Sequence, residues 1–134
     1  MRDPEVIALI AEIAPLGAVN SLAQTLLKIA SPGVPDFYQG TELWSFSLVD
    51  PDNRRPVDYK KRIGLIEYLE RRESQELPGL LAELASDWRR GAIKLFLTYK
   101  ALEFRRAHRE LFLDGCYRPL RVAGERAQHA VAFA

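Results

Sequence analysis

Residues 31–59 read "SPGVPDFYQGTELWSFSLVDPDNRRPVDY" and separate two helix-like regions. The stretch holds Pro32, Pro35, Pro51 and Pro56, with Gly33 and Gly40, so neither a long helix nor a central strand can run through it. A connection of this length inside a compact domain is usually a binding loop, a lid or a linker. Its five aromatic side chains argue against a plain linker.

The flanks read as helices. Asp3 is placed to cap a helix with Pro4 at its first position and Val6, Ile10 and Ile13 on one stripe, and Pro15 is expected to end it. A second, buried helix is expected over residues 16–30, where Val19, Leu22, Leu26 and Ile29 recur at helical spacing until Ser31-Pro32-Gly33 stops them. Residues 34–38 then read as one short strand. Beyond the loop, Asp58 should cap a helix from 59 to about 72, and a short helix should follow around Leu80, Leu81 and Leu84, both half exposed. From 91 to about 109 the apolar arc is so wide that the helix must pack on more than one neighbour. The tail alternates, with Leu120 and Val122, a turn at Gly124, then residues 130–133, which reads as two strands of a hairpin. A lone hairpin is marginal in water, so the chain reads as part of something longer. The fold class is mainly α with a few short strands.

Composition excludes several functions. A net charge of +1 from 19 basic and 18 acidic residues supplies no field for nucleic acid or anionic membrane. Cys116 has no partner for a disulfide, and with His108 and His129 it lacks the paired spacing of a metal site. No apolar run is expected to reach the roughly 20 residues of a membrane span, and "MRDPEVIAL" is acidic where a signal peptide is basic. The expected setting is cytoplasmic.

Within the loop, Asp50, Asp52, Asn53, Arg54, Arg55 and Asp58 form a dense set of donors and acceptors suited to sugar hydroxyls, and Phe37, Tyr38, Trp44 and Phe46 could face pyranose rings. A loop whose arginines pair with its own aspartates has the same composition. Trp44 and Phe46 are more often core than platform. His108 reads as a cation or satisfied polar group at a helix end, and the arginine pairs starting at 71, 89 and 105 as solvated faces.

The motifs "GVPDFYQGTELW" and "SLVDPDNRRPVDY" together resemble the end of the catalytic barrel of the maltooligosyltrehalose synthases, a branch of the alpha-amylase superfamily. The first is similar to the eighth barrel strand and the loop leaving it, a pattern written in many members as Gly-x-Pro-x-Ile-Tyr-Tyr-Gly-x-Glu and present here as Gly33, Pro35, Phe37, Tyr38, Gln39, Gly40 and Glu42. The stretches "APLGAVNSLAQTLLKIASPG" and "DWRRGAIKLFLTYKALEFRRAHRELF" resemble the helix before that strand and the last barrel helix, and "DGCYRPL" the start of the C-terminal β domain. Ser45 departs from the aspartate that many relatives carry after the tryptophan.

The resemblance implies that residues 1–112 close a (β/α)₈ barrel and residues 113–134 begin a β domain. It implies an enzyme that turns the reducing-end alpha-1,4 linkage of a maltooligosaccharide into an alpha,alpha-1,1 linkage, with no metal or organic cofactor. The catalytic carboxylates belong to earlier strands, so no catalytic residue is expected here and the chain alone should be inactive. By the same resemblance, Gln39, Glu42, Asp52, Asn53, Arg54 and Arg55 are candidate sugar contacts, with Tyr38 and Trp44 as stacking or wall residues. Apolar helix faces left uncovered would favour a homo-oligomer. The other reading is a stand-alone helical module that binds sugar or a protein partner without catalysis.

Overall fold

The computed structural model describes residues 3–47 and 54–134, and these are mainly helical. Five α-helices follow in order: α1 (Pro4–Ala30), α2 (Tyr59–Gln75), α3 (Leu77–Ser86), α4 (Ala92–Ala107) and α5 (Arg109–Asp114), with single 3-10 turns at Trp88–Arg90 and Ala127–His129.

Helix starts follow their local chemistry. The Asp3 carboxylate accepts from the Glu5 amide at 2.9 Å, and that of Asp58 from the Lys61 amide at 2.9 Å, so both expected caps are in place. Glu76 caps α3 through the Gly79 amide at 2.8 Å.

Pro15 does not end the first helix: α1 runs through it as one element of 27 residues, where two helices were expected. A proline removes one backbone donor and crowds one carbonyl, a local cost. The alanine-rich flanks favour helix on both sides, and the C-terminal part of α1 packs on α4. Continuity changes another expectation. By length and composition α1 is apolar enough to cross a membrane, which the two shorter segments were not. Only Thr25 and Ile29 of this helix are buried.

The core lies among α2, α3 and α4, where Leu69, Leu80, Leu84 and Leu95 meet, with Leu65, Ile66, Ile93 and Phe96 packed around them. Helix α4 touches α1, α2 and α3, as its wide apolar arc requires. Leu43 joins this cluster from the long loop and anchors it.

Two expected β elements are reduced. Residues 34–38 belong to no helix and have no ladder partners among the described residues. In the tail, the amides of Arg118 and Leu120 donate to the Ala134 and Ala132 carbonyls at 2.8 and 2.9 Å, and the pairing amounts to one antiparallel bridge, Pro119 with Phe133. Between them, Gly124 at φ 116° and the 3-10 turn take the chain out of register for a longer ladder. Strands without a neighbouring sheet have nothing to extend them.

The arginine pairs are not simply solvated. Arg105 reaches back across the fold and donates to the carbonyls of Ile29, of Ser31 at 3.0 Å and of Gly33, with the Phe112 ring 4.4 Å from its guanidinium. It thereby serves the last carbonyls of α1. Arg72 pairs with Glu83 at 3.2 Å, and Arg89 lies over the Trp88 ring. His108 closes α4, its ring 4.3 Å from that of Phe104.

Candidate functional site

The loop leaving α1 is pinned in steps. Arg105 holds its start, and Lys28 then donates to the Asp36 carbonyl at 2.8 Å with its ammonium 3.8 Å from the centre of the Phe37 ring. At residues 38–41 the chain turns sharply: the Thr41 amide and hydroxyl both donate to the Tyr38 carbonyl, at 3.1 and 2.6 Å. Gly40 takes φ 90° there, a conformation open to glycine, and a Cβ on it would stand 3.2 Å from Val57. Leu43 enters the core next, and Trp44 crosses the start of α4. Gly91, at φ 82°, permits that crossing, because a Cβ would lie 3.1 Å from both the Trp44 ring and its backbone nitrogen.

Opposite this turn stands the segment leading into α2. The two walls enclose an open cleft of about 440 Å³, with Tyr38, Gln39, Trp44 and Ser45 on one side and Arg55 and Asp58 on the other. It is the kind of concavity that holds small ligands, here with a largely polar lining.

Of the expected sugar contacts, Tyr38, Gln39, Trp44 and Arg55 line this cleft. Arg54 is described but does not line it, and Asp52 and Asn53, like Asp50, lie outside the described residues. Glu42 is turned away from it. One of its oxygens accepts from Arg62 Nε at 2.9 Å and the other from the Gly40 amide at 3.3 Å. Gln39 is held as well, by the Tyr59 hydroxyl at 3.2 Å. Trp44 is half-buried, edge-on to Trp88 with its indole N–H donating to the Trp88 carbonyl at 2.6 Å. It is both wall and strut. Phe46 is 87% exposed, against the expectation of a core position, because Leu43 and Trp44 already occupy the inward positions of that stretch.

Sequence reasoning missed Arg62, which joins the two walls. Its only local signal is a place one helical turn after the capping Asp58, where the two face the same side.

Burial pushes the Glu42 carboxyl up, but the bonds from Arg62 and from the Glu42 and Gly40 amides outweigh it and hold its pKa below the ordinary 4.5. A depressed carboxylate contributes stability that is present above its unfolded pKa and lost as pH falls through the folded one. The chain should therefore lose a part of its stability below about pH 4.5 that Glu42→Gln does not lose. Thermal unfolding of both proteins across pH 3 to 6 checks this; parallel curves would contradict it. Lys94, above the Trp44 ring, is shifted down by burial and by the charge of Lys28.

Asp58 is the one carboxylate lining the cleft among the described residues, and its side chain caps α2. Among the described residues, the arrangement offers donors, acceptors and aromatic faces for holding a polyhydroxylated ligand, without a pair of carboxylates set for acid and base work. Among the described residues no cluster of three or more histidine, cysteine or acidic side chains is placed to hold a metal ion.

The relatives and solved structures that resemble this chain share one description. Over 129 residues, 96% of the chain, it is 40% identical to proteins from two strains of Mycobacterium tuberculosis assigned as maltooligosyl trehalose synthase. A crystal structure of maltooligosyl trehalose synthase matches 96% of the chain with a TM-score of 0.79 at 39% identity. The chain is homologous to a segment of the maltooligosyl trehalose synthases. A variant of the Arthrobacter ramosus synthase matches 94% of it with a TM-score of 0.72 at 37% identity. The chain spans 14% of the length of the curated synthases and 15 to 16% of the solved ones. No family model matches it.

Proposed function

We propose that this chain supplies the closing part of the catalytic (β/α)₈ barrel of a maltooligosyltrehalose synthase, residues 1–112, and the start of its C-terminal β domain, residues 113–134. In that enzyme, an intramolecular transglucosylase of the isomerase class, the reducing-end glucose of a maltooligosaccharide is released from its alpha-1,4 linkage, turned, and rejoined through alpha,alpha-1,1, as in trehalose biosynthesis. The observation that carries the reading is the cleft between residues 38–45 and 55–58, in a chain 40% identical to the synthases over 96% of its length.

The parts fit this place. A segment at 34–38 with no ladder among the described residues fits a barrel strand without its neighbours. The loop following it would lie at the C-terminal ends of the strands, where barrels build their sites. Retaining chemistry needs two carboxylates about 5 Å apart, which other strands would supply, so this chain contributes binding and orientation. Tyr38 and Trp44 would form apolar walls, Gln39 and Arg55 would meet hydroxyls, and Asp52, Asn53 and Arg54 would extend the set, while Glu42 acts as a strut. No cofactor is needed. The uncovered faces of α1, where Val6, Leu9, Ile10, Ile13, Leu16 and Val19 are exposed, would pack against the rest of the barrel, and alone they favour self-association. A place for α1 within an enzyme of that kind supports the cytoplasmic reading over a membrane-spanning one.

A chimera tests the reading. The matching 129-residue segment of the Mycobacterium tuberculosis protein is replaced by this chain's residues, and maltopentaose conversion is followed. The chimera should form maltooligosyltrehalose, at reduced rate. One that melts like its parent yet makes no product would refute the assignment.

A further inference from the structure

We propose that Arg62 is a positioning residue of the cleft: it locks the turn at 38–42 to the start of α2, and so sets where Tyr38 and Gln39 stand opposite Arg55 and Asp58. The inference rests on reading this cleft as a glucan site.

Three of the five N–H donors of Arg62 are committed to three different places. Nη2 donates to the Gly40 carbonyl at 2.8 Å, Nε to Glu42 at 2.9 Å, and Nη1 to the Asp58 carbonyl at 3.0 Å. The first two partners belong to the turn, the third to the opposite wall. The walls are also linked by the Tyr59 hydroxyl on Gln39, and Val57 stands where a Cβ on Gly40 would meet it. The Arg62 side chain is 15% exposed and that of Glu42 26%, so the pair is less screened than a surface one. A planar fork can hold three acceptors at these angles, whereas a lysine ammonium on a flexible stem cannot reach all of them. Without the guanidinium, the Gly40 carbonyl and one Glu42 oxygen lose their donors together, and the turn that carries Tyr38 and Gln39 is left held to α2 by the Tyr59 bond to Gln39.

The test uses the 134-residue chain and its Arg62→Gln and Arg62→Lys variants, with two readouts. Amide hydrogen exchange is followed at Gly40 and Thr41, whose N–H groups are bonded to Glu42 and Tyr38, with α4 amides as the control for folding. Maltopentaose titration is followed by tryptophan fluorescence, because Trp44 lines the cleft. In Arg62→Gln, exchange at both amides should rise by about tenfold and maltopentaose binding should weaken by about tenfold, as expected for losing charge-assisted bonds. Arg62→Lys should recover part of both. Unchanged exchange, or faster exchange with binding kept within twofold, overturns the role of Arg62. A parent chain that binds no maltopentaose at millimolar concentration overturns instead the glucan reading of the cleft, and this inference with it. Should Arg62→Gln fail to fold, Arg62→Lys against the parent carries the same comparison.

Discussion

Incubated with maltopentaose, the chain by itself should yield no maltooligosyltrehalose above a heat-killed control. Enzymes accelerate reactions of this difficulty by at least about a millionfold, and here the whole enhancement is expected to be missing. The cleft offers Tyr38, Gln39, Trp44, Arg55 and Asp58, none of which forms a nucleophile and acid pair. Glu42, in the turn beside the cleft, has both oxygens engaged, by Arg62 and by the Gly40 amide. Binding groups orient a sugar, but they do not replace the covalent step. Chromatographic detection of product is the measurement, and any turnover would mean that a carboxylate pair has been assembled within this chain.

The second large effect concerns Arg55 in the complete enzyme. Arg54 and Arg55 stand in "DNRRPVD", directly before Pro56. The structure distinguishes the two, since Arg55 lines the cleft and Arg54 does not. Arg55→Lys should therefore let the released glucose escape while it turns, raising hydrolysis relative to isomerisation. Loss of one charge-assisted hydrogen bond, roughly 1.5 to 3 kcal/mol, corresponds to a shift of about tenfold to a hundredfold in that ratio. Arg54→Lys should shift it less. The measurement is the ratio of free glucose to maltooligosyltrehalose, taken beside the melting temperature. If both variants keep the parental ratio and only melt earlier, the arginines are struts of the loop and the self-satisfied reading of its composition holds.

The further use of Arg62 is of a different kind, because it acts on the site through the turn it holds. Its removal should show first in local opening at Gly40 and Thr41, whereas a lost sugar contact at Arg55 leaves the turn in place. The two substitutions therefore separate orientation of the glucan from orientation of the wall.

What the sequence determined by itself was local or patterned. Asp3 and Asp58 cap the helices expected of them, because an N-cap needs only a side chain and an amide two or three residues on. The wide arc of α4 announced several packing partners, because helical periodicity displays a buried face directly. The motifs at 33–44 and 47–59 pointed to the synthases, and the homologous proteins bear that out. Tertiary structure decided the rest. Arg105 and the carbonyls of Ile29, Ser31 and Gly33 are separated by more than 70 positions, and no local pattern marks one arginine of a pair for such a bond. The bond from Arg62 to Glu42, 20 positions earlier, could not be read locally either. The helix carried through Pro15, since one missing donor weighs less than the packing of α1 on α4. The expected strand at 34–38 forms no ladder among the described residues, since Pro35 and the glycines that bracket this segment say nothing of a strand's neighbours. A sequence writes down which groups are available, but the distances between remote ones exist only after the helices have packed.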